Sequence, residues 1–124
     1  MTVKRILVVD DEANIREVVS LCLQRLGGWK VLTAASGWEA LRQIKAEPPD
    51  AIILDVMMPE MDGFTFLKQL RVDPSVQAIP VVLLTANSYL PDLQLFPKLG
   101  IVLVIPKPFQ PVDLVQKMRQ VMGC

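Results

Sequence analysis

Asp10 and Asp11 close an apolar run, Ile6-Leu7-Val8-Val9, and Asp55 closes a second, Ala51-Ile52-Ile53-Leu54. Thr85 follows Val81-Val82-Leu83-Leu84, and Lys107 follows the apolar stretch 101–106. In an α/β protein with a parallel sheet, strand carboxyl ends converge on one crevice, so these distant residues would meet there. Three carboxylates, one hydroxyl and one amine would then share a pocket. That set suits a magnesium-assisted phosphoryl acceptor site better than any other common chemistry.

Each residue has an ordinary explanation when taken singly. A helix cap and a solvated acid would account for Asp10 and Asp11, a strand-end threonine for Thr85, and a solvated lysine for Lys107. A third carboxylate at the same point changes the balance, because like charges held within a few ångström disfavour ionisation of all three. A bound divalent cation resolves that conflict and also offsets charge on an incoming phosphoryl group. Asp55 is then the natural nucleophile, since a carboxylate can form an acyl phosphate. Lys107, confined between Pro106 and Pro108, can aim its ammonium at Asp55 at rest and at a phosphoryl oxygen after transfer. Thr85 can donate its hydroxyl to the same oxygen, and the small Ala86 beside it leaves room for that movement.

The elements that must position these groups follow from periodicity. Apolar runs at 5–9, 30–34, 51–54, 80–84 and 101–105 alternate with segments of helical period, the pattern of repeated βα units. The first, third, fourth and fifth runs are almost wholly apolar, as strands covered on both faces would be, while 30–34 is mixed and suits an edge. Ile15, Val18, Val19, Cys22, Leu23 and Leu26 give a first helix one apolar stripe, ended by Gly27-Gly28. Ser36 and Glu39 form a capping box for a second helix that faces inward with Ala40, Leu41 and Ile44 and stops at Pro48-Pro49. Asp62-Gly63 opens a third helix carried by Phe66, Leu67 and Leu70. Gln110-Pro111 starts a last one, buried through Leu114, Val115, Met118, Val121 and Met122. Between residues 88 and 99, Pro91 and Pro97 predict a short or distorted fourth helix, because an interior proline costs about 3 kcal/mol. The expectation is an α/β fold, a (βα)5 flavodoxin-like three-layer sandwich with a parallel sheet of order 2-1-3-4-5.

The chain has 124 residues and 52% hydrophobic residues, with a mean hydropathy of +0.38. That is one domain's worth of core, so a single domain over 1–124 without an effector domain is expected. The 13 basic residues balance the 13 acidic ones, which argues against direct DNA binding and against attraction to an anionic membrane. Cys22 and Cys124 have no metal spacing and no apolar leader precedes the first strand, so a cytoplasmic protein with reduced thiols is expected, Cys22 packing in a helix face. Trp29 and Trp38 are expected to pack partially, without contact to a cofactor.

The segments ILVVDDE, ILDVMMPEMDGF, VVLLTA and Lys107-Pro108-Phe109 after Pro106 together resemble the receiver domain of response regulators in two-component phosphorelays, along essentially the whole chain. The resemblance implies that Asp55 accepts phosphate from a histidine kinase. It also implies that Asp11 and Asp55 ligate Mg2+ directly with the carbonyl of Met57, that Asp10 acts largely through water, and that the Lys107-Pro108 peptide is cis. The chain contains no histidine, so the donor must be a separate histidine kinase, a histidine phosphotransfer protein or a small phosphodonor. Receivers usually carry an aromatic residue three positions before the lysine; here that switch position is Val104.

The apolar content of 88–105 points to a surface for a downstream protein partner, or for a homodimer, over residues 88–122. A pseudo-receiver acting as a constitutive interaction module stays open beside the phospho-acceptor switch, and Val104 favours it. A phosphatase with an aspartyl-phosphate intermediate would need a second acid where Met57 stands, and a flavin module would need amide and hydroxyl donors where the first loop is acidic. Turnover of an external substrate is therefore not expected.

Overall fold

The computed structural model describes residues 3–55, 63–74, 79–85 and 96–123. Five strands, β1 (Arg5–Val9), β2 (Lys30–Ala34), β3 (Ala51–Asp55), β4 (Val81–Thr85) and β5 (Ile101–Pro106), alternate with five helices. These are α1 (Ala13–Gly27), α2 (Gly37–Ala46), α3 (Gly63–Arg71), α4 (Phe96–Leu99) and α5 (Pro111–Met122). The strands form one parallel sheet of order β2-β1-β3-β4-β5, as the alternation of apolar runs and helical periods predicts. No described helix is long and apolar enough to cross a membrane.

Strand residues alternate between the two faces, and each face has its own core. Leu7, Val9, Ile52, Leu54, Val81 and Leu83 pack with Ala40 and Ile44 of α2, Phe66, Leu67 and Leu70 of α3, and Leu99 of α4. Ile6, Val8, Ala51, Ile53, Val82, Leu84 and Ile105 pack with Val19 and Leu23 of α1 and with Leu114, Val115, Met118 and Met122 of α5. Burial on both faces explains why β1, β3 and β4 are continuous apolar runs.

Capping residues set the helix ends. Gly28 ends α1 at φ 74°, where a side chain would be strained, and its N–H donates to the carbonyls of Leu23 and Gln24. Ser36 Oγ accepts from Glu39 N at 3.2 Å, while the Glu39 carboxylate accepts from Ala35 N, one residue beyond the usual reciprocal partner. Pro111 occupies the first turn of α5. At the end of α3, Arg71 donates to the carbonyls of Leu99 at 2.8 Å and Ile79 at 2.9 Å, bracing the turns that enter β4 and β5.

Three expectations need correction. Val18 and Leu26 of α1 are exposed, because that helix covers the sheet with the narrower stripe Val19 and Leu23, with Ile15 and Cys22 partly buried beside it. β5 is an edge strand and only partly covered on its two faces: Ile101 and Ile105 are buried in opposite cores, Leu103 and Val104 are half-buried, and Val102 is 56% exposed. Val102 is exposed because β5 carries one extra residue against β4, Val81 pairing with Ile101 but Val82 with Leu103. Finally, β3 and β4 each run one residue further than the apolar runs do, so Asp55 and Thr85 are themselves the last strand residues. Of the segment 88–99, α4 spans Phe96–Leu99, and residues 88–95 lie outside the described residues, as do Asp62 and Cys124.

Candidate functional site

The pairing register places the acids. Val9 is level with Leu54 in the β1–β3 ladder, so Asp10 and Asp55 are the next residues on two neighbouring strands. Both continue the row of side chains that faces α1 and α5, Ile6 and Val8 in one strand and Ala51 and Ile53 in the other. Asp10 is 1% exposed and Asp55 5% exposed. Asp11 is exposed beside them, and carboxylate oxygens of all three aspartates lie within 4.8 Å of one another.

Local bonds hold Asp10 in place. Its N–H donates to the Ala34 carbonyl at 3.1 Å, and its Oδ1 accepts from Glu12 N at 2.9 Å, an Asx-type turn ahead of α1. Sequence reasoning missed Arg16, whose guanidinium donates to the Asp10 carbonyl at 2.7 Å. One sign of it was available. A cation near a helix N-terminus opposes the macrodipole, so a specific acceptor is required to favour it there.

Lys107 reaches the site from β5. Thr85 pairs with Pro106, and the next backbone N–H, that of Lys107, donates to the Thr85 carbonyl at 2.8 Å. The Lys107-Pro108 peptide is cis. The Lys107 Nζ lies 3.4 Å from Asp10 Oδ2 and 3.7 Å from Asp55 Oδ1. The ammonium is therefore shared, and it sits closer to Asp10 than to Asp55, the partner expected from sequence. Thr85 is buried at the end of β4 and continues the opposite row, that of Val81 and Leu83. Val104 is partly buried against that same core. Met57 and Ala86 lie outside the described residues.

Charge decides what this cluster can hold. Three carboxylates face one ammonium, two of the acids are almost fully buried, and every donor is a hard oxygen with one side open through Asp11. Repulsion within such a set is costly in a partly desolvated place, and a divalent cation with oxygen preference offsets it. The residues present thus fit a small hard cation, with Asp55 placed to act as a nucleophile beside it.

Comparison with known proteins agrees with this geometry. The family model described as the response regulator receiver domain matches residues 6–119. The chain is 38% identical over 121 residues to a probable transcriptional regulator, ycf27, of Guillardia theta, covering 98% of this chain and 46% of that protein. It spans about half the length of the curated relatives it matches. Among solved structures, the chemotaxis protein CheY4 of Vibrio cholerae superposes with a TM-score of 0.88 at 36% identity, covering 97% of this chain and 99% of that one. The receiver domain of a Pseudomonas aeruginosa sensor histidine kinase, with magnesium coordinated in its active-site cleft, gives 0.86 at 27% identity over 99% of this chain and 100% of that one. With its sheet order, its convergent aspartates and this match over almost its full length, the chain belongs to the response regulator receiver domain family.

Proposed function

We propose that the chain is a phospho-acceptor switch in which Asp55 receives a phosphoryl group from a histidine kinase or a histidine phosphotransfer protein. The observation that carries this reading is the convergence of three carboxylates within 4.8 Å, with the Lys107 ammonium 3.7 Å from Asp55. In the transfer, a carboxylate oxygen of Asp55 forms a bond to phosphorus as the phosphorus–nitrogen bond of the donor breaks, and the electron pair of that bond leaves with the imidazole. Lys107 would move its ammonium onto a phosphoryl oxygen, and the Thr85 hydroxyl would donate to that same oxygen.

Asp10, Asp11 and Asp55 would hold Mg2+, with the Met57 carbonyl implied by family resemblance. A bound magnesium supplies neutralisation of the charge spread over the phosphoryl oxygens. The magnesium in the Pseudomonas aeruginosa receiver supports this assignment. Movement of Lys107 from the Asp55 carboxylate to the phosphoryl oxygen would shift the population toward a conformer with altered affinity for a partner protein or for a second copy of the chain, through residues 88–122. Turnover of an external substrate is not part of this function, and a cytoplasmic setting follows from a kinase donor. Balanced charge argues against DNA contact by these residues themselves; the transcriptional role in the relatives' names belongs to proteins about twice as long.

Native mass spectrometry after incubation with magnesium and acetyl phosphate tests the proposal. One phosphoryl adduct on the wild-type chain, absent from Asp55→Asn, is the expected result. Labelling retained in Asp55→Asn would refute the acceptor assignment. No adduct on either protein would favour the constitutive interaction module, the reading that Val104 in place of an aromatic residue supports.

A further inference from the structure

Helix α2 carries two stripes, one buried in the core and one reaching it only through the half-buried Leu41. Gly37, Ala40 and Ile44 are buried against the sheet. Trp38, Leu41, Arg42 and Lys45, spaced as neighbours on a helix surface, instead line an open groove of about 300 Å³ with Gln69 of α3. Trp38 is 52% exposed, whereas the other tryptophan, Trp29, is buried with the Arg119 guanidinium 5.8 Å from its ring centre. A large aromatic side chain left in water beside a half-buried leucine is a typical anchor site of a protein interface.

The charges around this groove are one-sided. Arg42 and Lys45 are exposed, and neither forms an ion pair among the described residues. The acids of the same region are engaged elsewhere: Glu39 accepts from Ala35 N and the Gln43 amide, and Glu47 pairs with Arg5 and Lys30. By contrast, Lys117 on α5 has Asp113 as its partner. A chain with equal numbers of acids and bases thus gathers unpaired positive charge around an apolar floor.

We propose that the α2–α3 groove is a docking site for an acidic segment of another protein, with an apolar side chain seated against Trp38 and Leu41 and carboxylates facing Arg42 and Lys45. The concave floor takes a single apolar anchor, which favours a peptide over a nucleic acid backbone or a membrane surface. Two cations in the lining are also fewer than the six to ten phosphate contacts, roughly, of a typical nucleic acid complex. The surface lies on the α2–α3 side of the sheet, apart from α5, and its use does not depend on phosphorylation of Asp55.

The test uses a pool of short fluorescent peptides, each with acidic residues around one randomised apolar position. Two control pools carry lysine for the acids or serine for the apolar residue. Binding is followed by anisotropy and by tryptophan emission, on the wild-type chain, Trp38→Ala and the double variant Arg42→Glu/Lys45→Glu. All three positions are exposed, and Trp29 emission reports an intact fold in Trp38→Ala. The expected result is binding of the acidic apolar pool alone, with a change in Trp38 emission, weakened about tenfold or more by either variant and by added salt. Equal binding of a control pool, binding unaffected by both variants, or no peptide binding would overturn the proposal. So would a preference for anionic vesicles or duplex DNA over the acidic pool.

Discussion

The two ends of the sheet carry similar residue types in opposite electrostatic arrangements. At the amino end, Arg5 donates to Glu47 at 2.7 Å and to the Pro48 carbonyl at 2.8 Å, its own N–H donates to Asp50, and Lys30 adds a second contact to Glu47 at 3.2 Å. Two cations meet two acids there, near solvent. At the carboxyl end, among the described residues, three acids meet one ammonium, and two of the acids are buried. The balanced cluster ties strands and turns together. The unbalanced one holds repulsion that a divalent cation can relieve, the setting in which carboxylates are tuned for ligand binding.

Deleting Val102 should disturb the carboxyl end most. The extra residue in β5 reverses which face the later residues of that strand present, and without it Ile105 and Lys107 would exchange faces with Val104 and Pro106. Phosphoryl uptake should fall to the level of Asp55→Asn, with stability lower by about 3 kcal/mol or more from misplaced core side chains, measured by urea denaturation.

Lys107→Ala removes the one ammonium from three carboxylates. Stability in the presence of a chelator should fall by about 2 kcal/mol, because two nearly buried acids lose the ammonium they share, and millimolar magnesium should restore most of it. The phosphorylated variant should also fail to change its partner affinity. If the chelator makes no difference, the repulsion argued for this end is absent.

Asp10→Asn has the opposite effect. Asparagine keeps the acceptor for Glu12 N but removes a negative charge, so stability in chelator should rise by about 1 kcal/mol while magnesium affinity, read by calorimetry, falls about tenfold.

The smallest effect is expected at the amino end. The contact with Lys30, and then the charge of Arg5, hold the Glu47 carboxyl below its ordinary value of 4.5. Its contribution to stability is therefore present above about pH 4.5 and lost as pH falls through the lower folded value. Glu47→Gln should remove only that component from the acid limb of a stability profile and leave phosphoryl uptake unchanged. A change in uptake would break the distinction between the two ends.

Much of the site was legible because strand ends and reactive residues coincide. Asp10, Asp11, Asp55, Thr85 and Lys107 each follow or close an apolar run, and a parallel sheet brings such positions together. The partner of Lys107 was not legible, because the choice between Asp10 and Asp55 depends on distances of 3.4 and 3.7 Å across three strands. Arg16 was missed because its acceptor is a main-chain carbonyl, which no side-chain pattern names; only its place near a helix N-terminus hinted at it.

The sequence by itself determined the five strands, the helix ends at Gly28, Ser36 and Pro111, and which polar groups stand at the strand ends, since apolar runs, caps and residue types are local properties. Only the tertiary structure decided how Lys107 enters the site. From Ile101 alone, alternation along β5 would send Leu103 and Ile105 toward α2 and α3; the extra residue at Val102 turns them toward α1 and α5, in the same row as Asp10 and Asp55. That reversal comes from hydrogen bonding between β4 and β5, and no periodicity within β5 encodes which of its residues the neighbouring strand will leave unpaired.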